Sequence, residues 1–144
     1  MRKVADILKK KGKNTISVVP ETSVIEALHL MDEKNIGSVL VMDNGQYAGM
    51  LTERDYSRKV ILKGRSSADT TVADIMTTDL PHVSPSDTID QCMQLMSSKH
   101  IRYLPVFEDG RLAGIISMSD VVNATIANQK DTITHLENYI NSAV

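Results

Sequence analysis

Two seven-residue stretches of this chain carry the same reactive groups in the same order. Gly49-Met-Leu-Thr-Glu-Arg-Asp55 and Gly114-Ile-Ile-Ser-Met-Ser-Asp120 both read G-x-x-S/T-x-x-D. Glycine, lacking a Cβ, lets a second backbone or a ligand come close. A hydroxyl and a carboxylate three residues apart fall on the first turn of a helix, where free N–H groups and the dipole attract a phosphate. An aspartate there also suits the diol of a ribose. The same spacing is equally a capping box, whose side chains satisfy the helix's own first N–H groups. Ser23 and Glu26 offer that arrangement where no ligand is implied. The residues alone leave both readings open.

The duplication extends well beyond these stretches. Val4-Ala5-Asp6-Ile7 recurs as Val72-Ala73-Asp74-Ile75, 68 positions on. From Val18 the offset is 65 and holds: Val18 with Val83, Pro20 with Pro85, Met31 with Met96, Val41 with Val106, Gly45 with Gly110, Asp55 with Asp120. Three extra residues in the first copy account for the change, and KKGKN at 10–14 is the loop expected to hold them. Two copies are too few for a solenoid. A pair is expected in which each copy covers the apolar face that the other cannot bury alone.

Within each copy the elements that would position these residues can be read. Val24, Ala27, Leu28 and Met31 lie at i, i+3, i+4 and i+7, an amphipathic helix, repeated by Ile89, Cys92, Met93 and Met96. The apolar runs 38–42 and 103–107 are strands, closed by Asn44-Gly45 and Asp109-Gly110 hairpin turns and returning over 46–51 and 111–116. Pro105 argues for an edge position or a strand end there. Second helices are expected at 53–62 and 118–128, and extended pieces at 15–19 and 81–84. A short helix is expected at 3–9, and 64–69 reads as a polar linker. Ile133, Leu136 and Ile140 place a stripe on a final helix over 132–144, to pack on the body or on a second subunit.

Composition excludes several functions. The chain has 144 residues, 42% of them hydrophobic, enough for a core in one ordinary domain or two small ones that share it. A net charge of −2 gives no field favouring nucleic acid or an anionic membrane, and with 3% aromatics and no Trp, base-stacking platforms are scarce. No apolar run has the length of a signal peptide or a membrane span, so a cytoplasmic protein is expected. Cys92, the single cysteine, reads as a buried small hydrophobe. His29, His82, His100 and His135 lack metal-ligand spacing, with His100 beside Arg102 the one placed to approach a site. Arg58, Lys59, Lys63 and Arg65 form a basic run that is either a solvated face or a reach toward a second phosphate.

As a set, these pieces resemble the cystathionine-β-synthase (CBS) domain pair. V-x-D-I-M at 72–76, V-x-P at 83–85, I-R-Y-L-P-V at 101–106, the D-G turn and the G-x-x-S/T-x-x-D close carry the likeness, which covers 4–128. With no fused catalytic domain, the chain resembles the stand-alone bacterial members assigned to signal transduction. The resemblance implies an α/β fold of two β-α-β-β-α motifs around a pseudo-twofold axis, the first over 1–65 and the second over 66–128, with a C-terminal helix at 129–144. It implies a regulatory module without enzymatic activity or a catalytic cofactor. The regulatory ligand would be an adenine-containing nucleotide (AMP, ADP, ATP, NAD or S-adenosylmethionine) held in clefts between the motifs, and the assembly a homodimer. The alternative is a dimerisation scaffold with vestigial clefts that acts through a protein partner.

Carried over residue by residue, the resemblance implies two unequal clefts. The first would combine Met50, Thr52, Arg54 and Asp55 with Val83, Arg102 and Tyr103. Asp55 would take the ribose hydroxyls, Thr52 and Arg102 the phosphate, and the surroundings of Val83 the adenine. The second would combine Ser117, Ser119 and Asp120 with Ile16, Ser17, Gly37 and Ser38. Gly37 stands where the other copy has Arg102, so this second cleft is expected to be the weaker for a charged nucleotide.

Overall fold

The computed structural model describes residues 2–12 and 15–142. In chain order the elements are α1 (Val4–Lys11), β1 (Ser17–Val18), α2 (Val24–Lys34), β2 (Ser38–Asp43), β3 (Gln46–Thr52), α3 (Glu53–Tyr56), α4 (Val72–Ile75), α5 (Ile89–Lys99), β4 (Tyr103–Glu108), β5 (Arg111–Ser117) and α6 (Met118–Ser142). This is the mixed α/β arrangement expected, with β-α-β-β-α order in the first copy, while in the second an isolated bridge at Val83 stands where the first strand would be. Lys10 and Lys11 of the expected insertion loop close α1 instead, Gly12 follows at φ +88°, and Lys13 and Asn14 lie outside the described residues. Among the described residues no helix is long and apolar enough to cross a membrane.

The repeat offset reappears in the backbone. Asn44 and Gly45 both take positive φ, as do Asp109 and Gly110, which suits the twist of a two-residue hairpin. The first helix of each copy ends on a left-handed residue, Asn35 or His100. Each hairpin carries an irregularity at the same place, between Val41 and Met42 and between Val106 and Phe107.

The compact units do not coincide with the sequence repeats. One unit is Asn14–Leu80; the other joins Met1–Lys13 to Pro81–Val144. Each repeat thus surrenders its leading V-A-D-I helix to the other repeat's unit. The docking is the same in both. Val4 and Ala5 donate their N–H groups to the carbonyls of Asp87 and Pro85, while Val72 and Ala73 donate to Thr22 and Pro20, all at 2.8–2.9 Å. These are first-turn donors, which have no partner within their own helix. Val4 and Ile7 then enter a core with Ile89, Cys92, Met96, Leu104 and Ile116, and Val72 and Ile75 one with Val24, Met31, Val39 and Leu51. The 64–69 segment, read as a linker, is fastened to its unit: Ile25 N–H donates to Ser67, and Val24 N–H to Thr70 just beyond it.

Three elements differ from the sequence reading. Helix α6 is one continuous rod of 25 residues, where two helices were expected. No Gly or Pro interrupts 118–142, so nothing stops it. The expected 53–62 helix begins as α3 and widens into a π-helix over Ser57–Ile61, with Leu62 N–H bonded five residues back to Ser57. The expected extended piece at 81–84 forms no strand. Pro105 lies inside β4, an edge strand of the two-stranded β4–β5 sheet, the edge position expected. Its counterpart Leu40 donates an N–H to Ile16, and Pro105 has none to give, so β1 pairs with β2 over two residues while Val83 makes only a single parallel bridge to Val106.

The two motif glycines serve the leading helices. A Cβ on Gly49 would lie 2.7 Å from the Thr77 carbonyl oxygen and 3.3 Å from Met76 Sδ; one on Gly114 would lie 2.8 Å from Leu8 Cδ2. Backbone cannot yield where a leucine tip can. Gly49→Ala is therefore expected to destabilise by about 2 kcal/mol or more and Gly114→Ala by less than half of that, measured as urea-unfolding free energies. Equal losses would show that the backbone contact at Thr77 is not limiting.

Candidate functional site

The residues of each expected set fall in both units, and the geometry here is that within each unit. In the Asn14–Leu80 unit, β3 delivers Thr52 to the N-terminus of α3. The Asp55 N–H donates to Thr52 Oγ1 at 3.1 Å, and Asp55 Oδ2 accepts from the Thr52 N–H at 3.0 Å, closing a capping box. The other oxygen, Oδ1, accepts from the Thr77 hydroxyl at 2.8 Å and faces Lys59 Nζ at 3.0 Å. Asp55 is thereby a buried carboxylate with partners on both oxygens. Beside it, Ser38 pairs in register with Thr52, and Gly37 accepts the Glu53 N–H at 3.1 Å. Met50 is fully buried and bridges Thr77 through its backbone, while Arg54 and Ser17 are exposed and Ile16 half-buried.

The other unit builds the equivalent junction from β5 and α6. Asp120 Oδ2 accepts from the Ser117 N–H at 2.8 Å, and the Asp120 N–H donates to Ser117 Oγ at 3.2 Å. The cation comes from elsewhere: Lys11, at the end of α1, places Nζ 2.8 Å from Asp120 Oδ2 and 3.1 Å from the Ile115 carbonyl. Burial alone would raise the Asp120 carboxyl, but the Lys11 ammonium and the Ser117 amide and hydroxyl outweigh it and hold the carboxyl below its ordinary value. Tyr103 pairs in register with Ser117, and the Arg102 carbonyl accepts the Met118 N–H at 2.8 Å. Arg102 and Ser119 are exposed, leaving their side chains open to solvent.

Each junction therefore holds an S/T hydroxyl, a carboxylate and an ammonium at a helix start. The cap reading is realised in both. Sequence reading missed Thr77, which only the fold brings to Asp55, and Lys11, 109 positions from its partner. Lys59 sat in the noted basic run, and its i+4 spacing from Asp55 was the signal available. Within that run Lys59 also donates to the Ile75 carbonyl and Arg65 lies 3.6 Å from Asp74, while Arg58 and Lys63 are exposed.

Val83 is buried, and its N–H and carbonyl are both spent on β4, at Pro105 and Phe107. It floors an open depression of about 500 Å³ shared with His82, Asp87, Gln91, Gln94, Leu95 and Ser98. His82 stacks on Phe107 with ring centres 4.2 Å apart, and His100 caps α5. Cys92 is in the core as expected, and burial, with the Asp87 charge adding to it, pushes its thiol up to about 11.

The CBS domain family matches residues 4–61 and again 72–127, each match spanning one leading helix, one hairpin and its closing motif. The chain belongs to the CBS domain family. A mitochondrial CBS domain-containing protein of Arabidopsis thaliana, CBSX3, is 36% identical over 146 residues, covering 95% of this chain and 71% of its own. Among solved structures, a candidate signal-transduction protein with CBS domains from Burkholderia ambifaria is 45% identical with a TM-score of 0.84, over 88% of this chain and 96% of its own. A hexameric CBS-CP12 protein of bloom-forming cyanobacteria is 26% identical with a TM-score of 0.73, over 85% and 70%. Pairs of CBS domains are in general regulatory ligand-binding modules, and this chain is such a pair.

Two outcomes follow from the electrostatics. A depressed carboxyl stabilises the fold above its unfolded value of about 4 and loses that contribution as the pH falls through the folded value. Lys11→Met should therefore lower the urea midpoint at pH 7, with the deficit shrinking below about pH 4; a deficit independent of pH would refute the pairing. Iodoacetamide at pH 8 should leave Cys92 unlabelled in the native protein and label it readily in urea, followed by mass spectrometry.

Proposed function

We propose that this CBS pair is a regulatory sensor of an adenine-containing nucleotide, without catalytic activity of its own, and that it works as a homodimer. What carries the reading is the duplicated junction: a helix N-terminus with a hydroxyl, a desolvated carboxylate and a lysine, built twice from one motif. The lysine suits phosphate. The carboxylate suits a ribose diol once the lysine moves from it to the phosphate. AMP, ADP, ATP, NAD and S-adenosylmethionine share the adenosine portion this requires. Exposed Arg102 adds a cation to the set that includes Asp55, while the set with Asp120 has Gly37 at that place, so the former is the stronger for a charged nucleotide. Binding would bias the arrangement of the domains by its differential affinity for the alternatives. Hexamer formation by the cyanobacterial relative supports self-association as part of how such modules work.

A thermal-shift screen with these five compounds tests the proposal. A ligand at 100 times its dissociation constant stabilises by about 2.7 kcal/mol, a shift of several degrees for a chain of this size. Calorimetry then compares Asp55→Asn with Asp120→Asn, which keep the volume of the cap. The larger loss of affinity, about tenfold or more, is expected from Asp55→Asn. No shift with any compound at millimolar concentration would favour a scaffold that acts through a protein partner.

A further inference from the structure

Helix α6 presents two separate stripes. Val121 and Ala124 are buried against its own unit, and further along the same side Asn128 and Asp131 hold the Arg2 guanidinium at 3.0 and 2.8 Å. The second stripe is Val122, Ile126, Gln129, Ile133, Leu136 and Ile140, whose spacing alternates four and three throughout. Its apolar members are exposed, from 43% at Val122 to 61% at Ile140, and every residue over 129–142 is exposed. The sequence allowed this stripe to lie on the body, and it does not.

Alternating four-and-three spacing is the heptad seam of a coiled coil, with Ile126, Ile133 and Ile140 at a and Val122, Gln129 and Leu136 at d. Isoleucine at a with leucine at d favours two parallel strands. Gln129 selects the occupant. In a parallel pair in register it meets its own copy in one layer, where two amides can hydrogen-bond. In an antiparallel pair it would face an isoleucine and stay unsatisfied. A lipid surface fits poorly, because Lys130 is the single cation over 129–142, against Asp131 and Glu137, where a membrane-surface helix needs a basic polar face. A half-helix of this length is also marginal in water without a packing partner.

We propose that α6 forms a parallel, in-register two-stranded coiled coil with α6 of a second copy of this chain. This rests on the self-association proposed above and names the surface that makes it. Over 122–140 the seam runs about 27 Å.

The test places single cysteines on the two sides of the rod in the full chain, beside buried Cys92. Under mild oxidation, Gln129→Cys on the seam is expected to give a disulfide-linked dimer in more than half of the chains, and Thr134→Cys, off the seam, less than a tenth of that. Sedimentation velocity of the wild-type protein runs alongside and is expected to show a dimer. Equal crosslinking of both variants, or none while sedimentation shows a dimer, would overturn the seam and leave self-association standing. A monomer at every concentration would overturn both.

Discussion

The structure depends on the first two N–H groups of a short helix finding carbonyls in the other repeat. Val4 and Ala5 reach Asp87 and Pro85; Val72 and Ala73 reach Thr22 and Pro20. Unpaired donors at a buried helix start are costly. Here the proline-containing loop after each extended piece supplies the acceptors. Once these bonds form, the valine and isoleucine of each V-A-D-I segment are committed to a core, and the residue that follows, Leu8 or Met76, must lie against a motif glycine. The hairpins, the glycines and the offset in the repeat all accommodate that docking.

The same docking shapes the chemistry of the junctions. In one unit the residue just past the leading helix, Thr77, bonds Asp55, and in the other the last residue of the leading helix, Lys11, pairs with Asp120. The two carboxylates thus sit in related but unequal surroundings. Asp55 is the more enclosed, with partners on both oxygens, while the Asp120 side chain retains 23% exposure. Duplication of the motif gave both junctions a cap, and divergence between the copies gave each its own counter-charge, Lys59 on the turn after the motif for Asp55 and Lys11 on the leading helix for Asp120.

Much of this was legible beforehand. Val18 and Val83, Gly45 and Gly110, and Asp55 and Asp120 share an offset because strand alternation and turn conformation are local properties, and local properties survive in sequence. The helices with caps at Ser23 and Thr88 were legible for the same reason. What escaped was set by partners distant in the chain. Nothing near Lys11 or Thr77 indicates a carboxylate. The continuity of α6 was hidden because its buried stripe ends at Ala124 while a separate exposed stripe runs on to Ile140, which reads as two helices with a gap. The π-turn over Ser57–Ile61 has no residue signature, and Pro105 was legible as an edge residue but not as the reason the second copy's parallel pairing shrinks to the Val83–Val106 bridge.

The trading of leading helices has a bearing on how such a chain arose. A single repeat would contain a helix it cannot dock on itself and a core lacking the piece that completes it. Its fold would be complete only when two molecules traded those helices, in the manner of a segment-swapped dimer. Fusion of the gene with its copy would turn that trade into an intramolecular one, raising the local concentration of each missing piece and freeing the halves to diverge. The unlike lysines beside Asp55 and Asp120 are the kind of difference that an obligately identical pair could never have carried.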